Sequence, residues 1–225
     1  MSKSCVFPSP FFKTILTTQE RVIGKRFSTV TTVKASPPHR FLGSFLNAFT
    51  HGDQTYNPFS SSKLSCIGNI TEFRIYGKKK GGLHGFYFGP YTYANTYKLT
   101  AKSFPAEFHD DAGVLYKADL SEVIKVSTLG GGFEIGISGL IKNIVNVDWT
   151  IFGIGLGSMK VSGEIEATNT SANFDFRNYD EDVQKTTLGI KFLDKARTVE
   201  KERISMGVRV PWFLFRTSLS FGIAY

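Results

Sequence analysis

The chain of 225 residues contains no apolar run of the ~18–20 residues that a membrane-spanning helix requires. Its longest apolar stretches, such as Ile151–Leu156, are short and are interrupted by glycine. Cysteine is nearly absent: Cys5 and Cys66 are too few for a metal site or a disulfide framework, and they form either one disulfide or two free thiols. A spanning helix is therefore excluded, but a spanning barrel is not, because its strands alternate in polarity.

The chain also lacks a group of residues that would support catalysis or metal binding. Gly153, Gly155 and Gly157 are spaced like part of a phosphate-binding loop, but apolar residues alternate with them and no Rossmann pattern surrounds them. We interpret them as glycines that line a narrow barrel or ease its curvature. His109-Asp110-Asp111 lies in a polar segment, where such side chains are usually solvated. The sequence therefore predicts no enzyme, no bound metal and no cofactor.

Positive charge exceeds negative charge, with 27 Lys and Arg against 19 Asp and Glu, for a formal net charge of +8. Lys78–Lys80 is the only tight basic cluster, and the glycines that follow it indicate a polar turn. Basic residues are not interleaved with aromatic residues on one face, so nucleic acid is not an expected partner. Excess Lys and Arg at a membrane rim would instead suit acidic lipid headgroups.

What the chain does have is a strict alternation at its C-terminus. Large apolar residues occupy one stripe and small or polar residues the other. Only a β-strand, whose side chains alternate between two faces, separates the residues in this way. The small stripe would make a poor water-facing surface, but it suits the interior of a narrow barrel of eight strands. The bulky stripe is then left facing hydrocarbon; it consists of Phe213, Phe215, Thr217, Leu219, Phe221, Ile223 and Tyr225.

Similar alternation, with short turns near Gly24, Lys80 and Asn143, predicts an all-β fold: one antiparallel up-and-down transmembrane β-barrel over residues 1–225. The links 36–63, 101–123 and 166–202 are long and polar, which is typical of the outer loops of such barrels. A helical spacing of apolar residues predicts one short helix, at Asp182–Ala196. The eight predicted strands are Lys3–Phe12, Thr14–Val22, Phe27–Ala35, Cys66–Tyr76, Gly85–Thr100, Ile124–Ile141, Ile144–Ile165 and Arg203–Tyr225.

The last strand is long enough to cross a bilayer. From Trp212 to Tyr225 it would climb roughly 33 Å along the membrane normal at a ~40° tilt. Aromatic residues near its two ends, namely Trp212, Phe213 and Tyr225, are therefore predicted to belong to the aromatic girdles at the headgroups.

Four charged residues within the strands are predicted to point into the barrel. Glu134 and Arg216 lie opposite the bulky stripes of their strands, and Glu72 and Arg74 share one face of theirs. Since an unpaired charge inside the barrel would be costly, we expect at least some of the four to form ion pairs. The alternative is that they lie at the wet rims.

These stretches together resemble the small outer-membrane β-barrel proteins of Gram-negative bacteria, and the resemblance extends from about Pro10 to the end of the chain. The closing residues Leu219, Phe221, Ile223 and Tyr225 resemble the signal that the barrel-assembly machinery reads. Other stretches that carry the resemblance are Glu20–Val22, Glu72–Tyr76, Gly85–Tyr91 and Val147–Trp149. The resemblance implies a fold and a location in the outer membrane, but no activity.

The expected function follows from this barrel. We expect an integral outer-membrane protein with a structural, adhesive or complex-subunit role through its loops. Its expected partners are outer-membrane lipid, the barrel-assembly machinery and other envelope proteins. The chain starts Met-Ser-Lys-Ser without an apolar secretory core, so we expect an export signal to have been removed. The alternatives are a narrow channel or lipid-handling barrel and, second, a soluble lipocalin-like barrel that binds a ligand.

Overall fold

The computed structural model describes residues 2–9, 14–40, 62–77, 84–101, 103–109, 114–142, 144–171, 174–178 and 197–224. No helix among these residues is long and apolar enough to cross a membrane. The described residues form ten strands: β1 (Ser2–Ser9), β2 (Thr14–Val22), β3 (Phe27–Arg40), β4 (Lys63–Tyr76), β5 (Gly85–Thr100), β6 (Phe104–His109), β7 (Leu115–Ile141), β8 (Val145–Thr168), β9 (Arg197–Val199) and β10 (Arg203–Ala224).

Eight of these strands form one antiparallel up-and-down sheet in the order β1-β2-β3-β4-β5-β7-β8-β10. The short strands β6 and β9 extend the sheet at one end, where they pair with β7 and β10. The first and last strands also pair, through Lys3 with Ala224 and Ser4 with Ile223. The predicted all-β, eight-strand up-and-down sheet is therefore confirmed, and its geometry is compatible with a closed barrel.

The predicted ends of the strands were right where clear turn residues follow the strand. They were wrong where a strand continues as polar residues beyond its apolar stretch. Thr14–Val22 and Gly85–Thr100 are strands with the predicted bounds. The prediction of a loop at 101–123 was wrong, because strand β6 pairs with the first residues of β7 and forms a hairpin with it. The sequence signal for a strand here was the alternation of Ala118 and Leu120 with charged neighbours. It was missed because the segment as a whole is polar.

Two other predicted links are shorter than expected. Strand β3 continues through Pro37 and Pro38 to Arg40, with an irregular register between Ser36 and His39 that accommodates the two prolines. Strand β8 continues to Thr168 and is followed by a single turn of 3-10 helix at Phe176–Asn178. The predicted helix at Asp182–Ala196 lies outside the described residues.

A β-bulge interrupts strand β8 at Ile151. Its neighbour β7 pairs Ile135 with Phe152 but the next residue, Gly136, with Thr150, and the register with β10 shifts at the same level. One extra residue in a strand reverses its alternation beyond that point. As a result, the even-numbered residues before Ile151 and the odd-numbered residues after it share one face of the sheet.

The two faces of the sheet differ sharply in composition. On β10, Phe213, Phe215 and Ile223 are 64%, 70% and 61% exposed, whereas Arg216 between them is half-buried. We call the face of Phe213 the outer face and the face of Arg216 the inner face. Inner-face residues of β4 contact those of β8 and β10, which are not its neighbours in the sheet, so the sheet curls toward this face.

The buried residues fall at two levels of the inner face. Near the short turns they are mostly charged and tyrosine side chains, described below. At the opposite end β7, β8 and β10 run on beyond the band of exposed apolar residues and carry an apolar cluster. The segment after β8 folds over this cluster, with the backbone NH of Phe176 donating to the carbonyl of Lys201 at 3.0 Å. The cluster consists of Ala118, Leu120, Ile165, Ala167, Phe174, Phe176 and Ile204.

Candidate functional site

A network of buried ion pairs occupies the inner face near the short turns. It is positioned by strand alternation: Glu72 and Arg74 lie two residues apart on β4 and therefore point the same way. The bulge at Ile151 keeps Asp148 on this face as well. The outer-face neighbours of these residues are large and apolar, among them Phe73 and Trp149. Strand alternation and the bulge together thus collect charges on one face of the sheet and apolar residues on the other.

Arg74 is the centre of the network. Its Nε donates to Glu72 Oε2 at 2.7 Å, and its two terminal nitrogens donate to both oxygens of Asp148, with Nη2 to Oδ1 at 3.2 Å. The guanidinium also lies over the ring of Tyr87, 4.1 Å from the centroid. Such two-pronged pairs with a stacked ring are the strongest contacts that arginine makes. They hold β4 against β8 across the inner face.

A second arginine extends the network to β7 and β10. Arg216 Nη2 donates to Glu72 Oε1 at 2.5 Å, and Nη1 pairs with Glu134 Oε2. Glu72 is only 1% exposed and accepts from both arginines, one on each oxygen. Two cations and three carboxylates therefore alternate in space, which is the arrangement that compensates the desolvation of buried charges.

A polar group on β2, β3 and β4 adjoins the ion pairs. Tyr76 Oη and Ser28 Oγ each donate to Glu20 Oε1 at 2.7 Å. The ring of Tyr76 lies beside that of Tyr87, with the centroids 5.7 Å apart. Tyr87 Oη in turn donates to Asp148 Oδ1 at 3.1 Å, so these tyrosines link Glu20 to the arginine centre.

Three tyrosines of β5 lie over glycines of β7 and β8. A Cβ at Gly136 would lie 2.4 Å from Tyr87 Oη, and one at Gly155 would lie 2.6 Å from Tyr91 Oη. A Cβ at Gly157 would lie 2.7 Å from Tyr93 Oη. The rings therefore take the space that side chains at the glycines would need. This supports the interpretation of the glycine run as barrel lining, with inward tyrosines as its counterpart.

The structure brings together all four charged residues predicted to point inward. Glu72, Arg74, Glu134 and Arg216 are linked by the ion pairs described above, and none lies at a wet rim. Sequence reasoning did not assign Asp148 to the interior, although it completes the environment of Arg74. Its position between two large apolar residues, Val147 and Trp149, was the available signal.

The predicted girdle residues are separated by the structure. Phe213 lies on the outer face, whereas Trp212 pairs with Gly157 and follows the inner-face alternation, with 38% of its surface exposed. The place of both residues in an aromatic girdle stays a prediction. Of the predicted assembly signal, Leu219, Phe221 and Ile223 are exposed on the outer face. Tyr225 lies outside the described residues. The assembly signal itself stays a prediction.

Outside the ion-pair network, the described part of the chain contains few groups that could bind a metal ion or change their protonation near neutral pH. It contains no group of three or more His, Cys, Asp and Glu residues arranged to hold a metal ion. Cys66 is a free, half-buried cysteine on β4. Glu122, beyond the apolar band on β7, is buried, and this burial raises the pKa of its carboxyl to about 7. Within the ion-pair network Glu72 accepts on both of its oxygens, whereas Glu134 Oε1 is buried without a hydrogen-bond partner among the described residues.

Comparisons with family models, curated proteins and solved structures found no match to this chain. The fold defines an antiparallel up-and-down β-sheet protein with a charged inner face and an apolar outer face.

Proposed function

We propose that the protein is an integral outer-membrane β-barrel whose role is structural, adhesive or complex-forming, carried out by the loop end of the barrel and without catalysis. The observation that carries the proposal is the distribution of charged and apolar side chains between the two faces of the sheet. Buried ion pairs lie on the inner face, whereas Phe213, Phe215 and Phe133 are exposed on the outer face. A soluble barrel would bury the phenylalanines and expose the charges.

The dimensions of the apolar band support this proposal. On β10 the outer-face apolar residues extend from Phe213 to Ile223, which is roughly 25 Å along the normal at a ~40° strand tilt. The band continues over the neighbouring strands, whereas the largest apolar patch on a soluble monomer is usually a few hundred Å². Its members on these strands include Phe86, Phe88, Leu129, Phe133, Ile135, Ile141, Val145, Trp149, Phe152, Ile154 and Leu156.

The packed interior favours a structural role over a narrow channel. Arg74 and Asp148 join β4 to β8, and Arg216 joins β10 to both β4 and β7, at the level of the apolar band. Tyr87 and Tyr91 fill the space beside them, against glycines. Barrels of eight strands are generally filled by side chains in this way. Passage of a solute would require these buried pairs to be broken.

The loop end supports a role in recognition. Strands β7, β8 and β10 contain 27, 24 and 22 residues, more than twice the ~9–11 that a membrane crossing needs. The excess lies at the end away from the short turns, where the apolar cluster under Phe174 and Phe176 stabilises it. A rigid platform beyond the bilayer suits adhesion or assembly with other envelope proteins.

The proposal is tested by refolding the full chain into phospholipid vesicles. We expect the chain to stay with the vesicles after carbonate washing and to migrate faster on a denaturing gel when unheated than when boiled. In planar bilayers we expect no steady conductance, whereas steady single-channel currents would favour the channel alternative. A chain that stays monodisperse in buffer without detergent and does not associate with vesicles would overturn the proposal.

A further inference from the structure

Four basic residues form a row on the outer face, just beyond the apolar band on its loop side. All four side chains are exposed, and they lie on four adjacent strands: Lys98 on β5, Lys125 on β7, Lys160 on β8 and Arg209 on β10. We call this set the basic row. Along β7, β8 and β10, its members lie four positions from the first large apolar residues of the band, which are Leu129, Leu156 and Phe213.

Strand register places like charges of the basic row directly opposite each other. Lys98 pairs with Lys125 across β5 and β7, and Lys160 pairs with Arg209 across β8 and β10. Lys125 and Lys160 are diagonal neighbours, because Lys160 pairs with Ser127. Like charges in directly opposed positions destabilise a sheet. Two such pairs side by side therefore indicate a surface that is stabilised when an anion lies against it.

No protein group neutralises the basic row within the described part of the chain. None of its four side chains has an ion pair or hydrogen bond there. The nearest acidic residue on the same face, Glu164, is already paired with Arg203. Hydroxyl groups do accompany the row: Thr96 and Ser127 lie beside it and share a hydrogen bond of 3.2 Å. The surface thus offers cations and hydroxyl donors, which are the groups that bind phosphate.

We infer that the basic row binds the phosphate groups of anionic lipid headgroups in the leaflet on the loop side. The inference rests on the proposed membrane location. At that level the headgroups lie where Lys125, Lys160 and Arg209 leave the hydrocarbon, while the acyl chains pack on Leu129 and Phe213 below. A lipid therefore gains from both surfaces, whereas free phosphate would contact only the cations. The protein thus selects anionic lipid as its outer boundary.

The test is lipid retention by the full chain in zwitterionic micelles to which phosphatidylglycerol is added. Native mass spectrometry counts the lipids retained at each concentration for the wild type and for the Lys125→Gln, Lys160→Gln double variant. At about fivefold in affinity per charge, we expect the double variant to bind phosphatidylglycerol roughly 30-fold more weakly. The matched control is Lys25→Gln, Lys142→Gln, which removes the same charge from exposed turns at the other end and should bind as the wild type does.

Four results would overturn the inference, three of them from lipid retention and one from competition with phosphate. One is equal retention by the double variant and the wild type, and a second is an equal loss in the control variant. The third is equal retention of phosphatidylcholine and phosphatidylglycerol by the wild type. Inorganic phosphate is added as a competitor, and full displacement at millimolar concentration would show a free-phosphate site instead. The gel-shift and vesicle assays are run on the same samples, so a failure to insert is distinguished from insertion without lipid selectivity.

Discussion

Arg74 on β4 and Asp148 on β8 form a two-pronged ion pair across the inner face, although 74 residues separate them in the sequence. Two strands lie between β4 and β8 in the sheet, so the pair fixes the curvature that brings them together. Each partner is almost fully buried, with 4% of Arg74 and 5% of Asp148 exposed. The stability of the fold should therefore depend on both charges being present together.

Replacing Arg74 by methionine should strongly destabilise the fold. It removes the cation that Glu72 and Asp148 share and leaves Asp148 buried without an ionic partner, at a cost of about 3–5 kcal/mol. The measurement is urea unfolding in micelles. The control Arg177→Met removes an exposed pair with Asp175 and should leave the midpoint unchanged. The double variant Arg74→Met, Asp148→Leu should recover part of the loss, and no recovery would contradict a charge-pairing role.

A charge on the outer face should impair insertion. Phe215 is 70% exposed near the middle of the apolar band, and Phe215→Arg should cost ~2–4 kcal/mol of stability in vesicles. Thr198→Arg, on exposed β9 beyond the band, is the control and should insert normally. The fraction of chain that acquires the faster gel mobility measures insertion. If Phe215→Arg inserted fully and instead improved solubility in buffer, the outer face would not be a lipid face.

The tyrosine–glycine contacts should behave as packed pairs. A Cβ at Gly155 would meet Tyr91 Oη at 2.6 Å, so Gly155→Ala should cost roughly 1–3 kcal/mol through overpacking. Among the described residues Tyr91 Oη has no hydrogen-bond partner, so Tyr91→Phe should be nearly neutral and should relieve part of that cost in the double variant. Gly139→Ala meets nothing closer than 3.9 Å and is the matched control. Additive losses in the double variant would rule out direct contact.

Stability should fall as the pH rises through the range set by Glu122. Burial raises the pKa of its carboxyl from 4.5 to about 7, so the folded state holds a proton that the unfolded chain releases. The contribution of the protonated Glu122 to the free energy of unfolding is fully present below about pH 4.5 and is lost as the pH rises through about 7. It amounts to at most on the order of 3 kcal/mol. Glu122→Gln should flatten this part of a plot of urea midpoint against pH. An unchanged slope in the variant would exclude Glu122 as its source.

The fold could be predicted well from the sequence because period-two alternation is a local signal. The strands with the clearest alternation, β5 and β10, were placed with errors of at most one residue. Glu134 and Arg216 were found by the same logic, since each opposed a bulky stripe, whereas Glu72 and Arg74 were assigned together because they share one face of their strand. The strand residues beyond the band, as in β6 and at the start of β7, were predicted to be loop because they are polar and no apolar stripe marks them.

The composition of the site was harder to predict, since it depends on contacts between distant strands. No sequence pattern pairs Arg74 with Asp148 or places Tyr91 over Gly155, because these contacts follow from the curvature of the sheet. Trp212 and Phe213 were predicted to belong to one girdle, although strand alternation places consecutive residues on opposite faces of the sheet. The basic row became visible only once the register between four strands was known.

Ile151 sets the phase of strand β8. With this residue present, Asp148 and Gly153 both face inward although four residues lie between them, a number that would place them on opposite faces of a regular strand. A deletion at this one position would invert half of the strand, so that either Asp148 would turn to the apolar outer face or Gly155 and Gly157 would leave Tyr91 and Tyr93 without room. Strand β8 therefore cannot lose this residue and keep both sets of contacts.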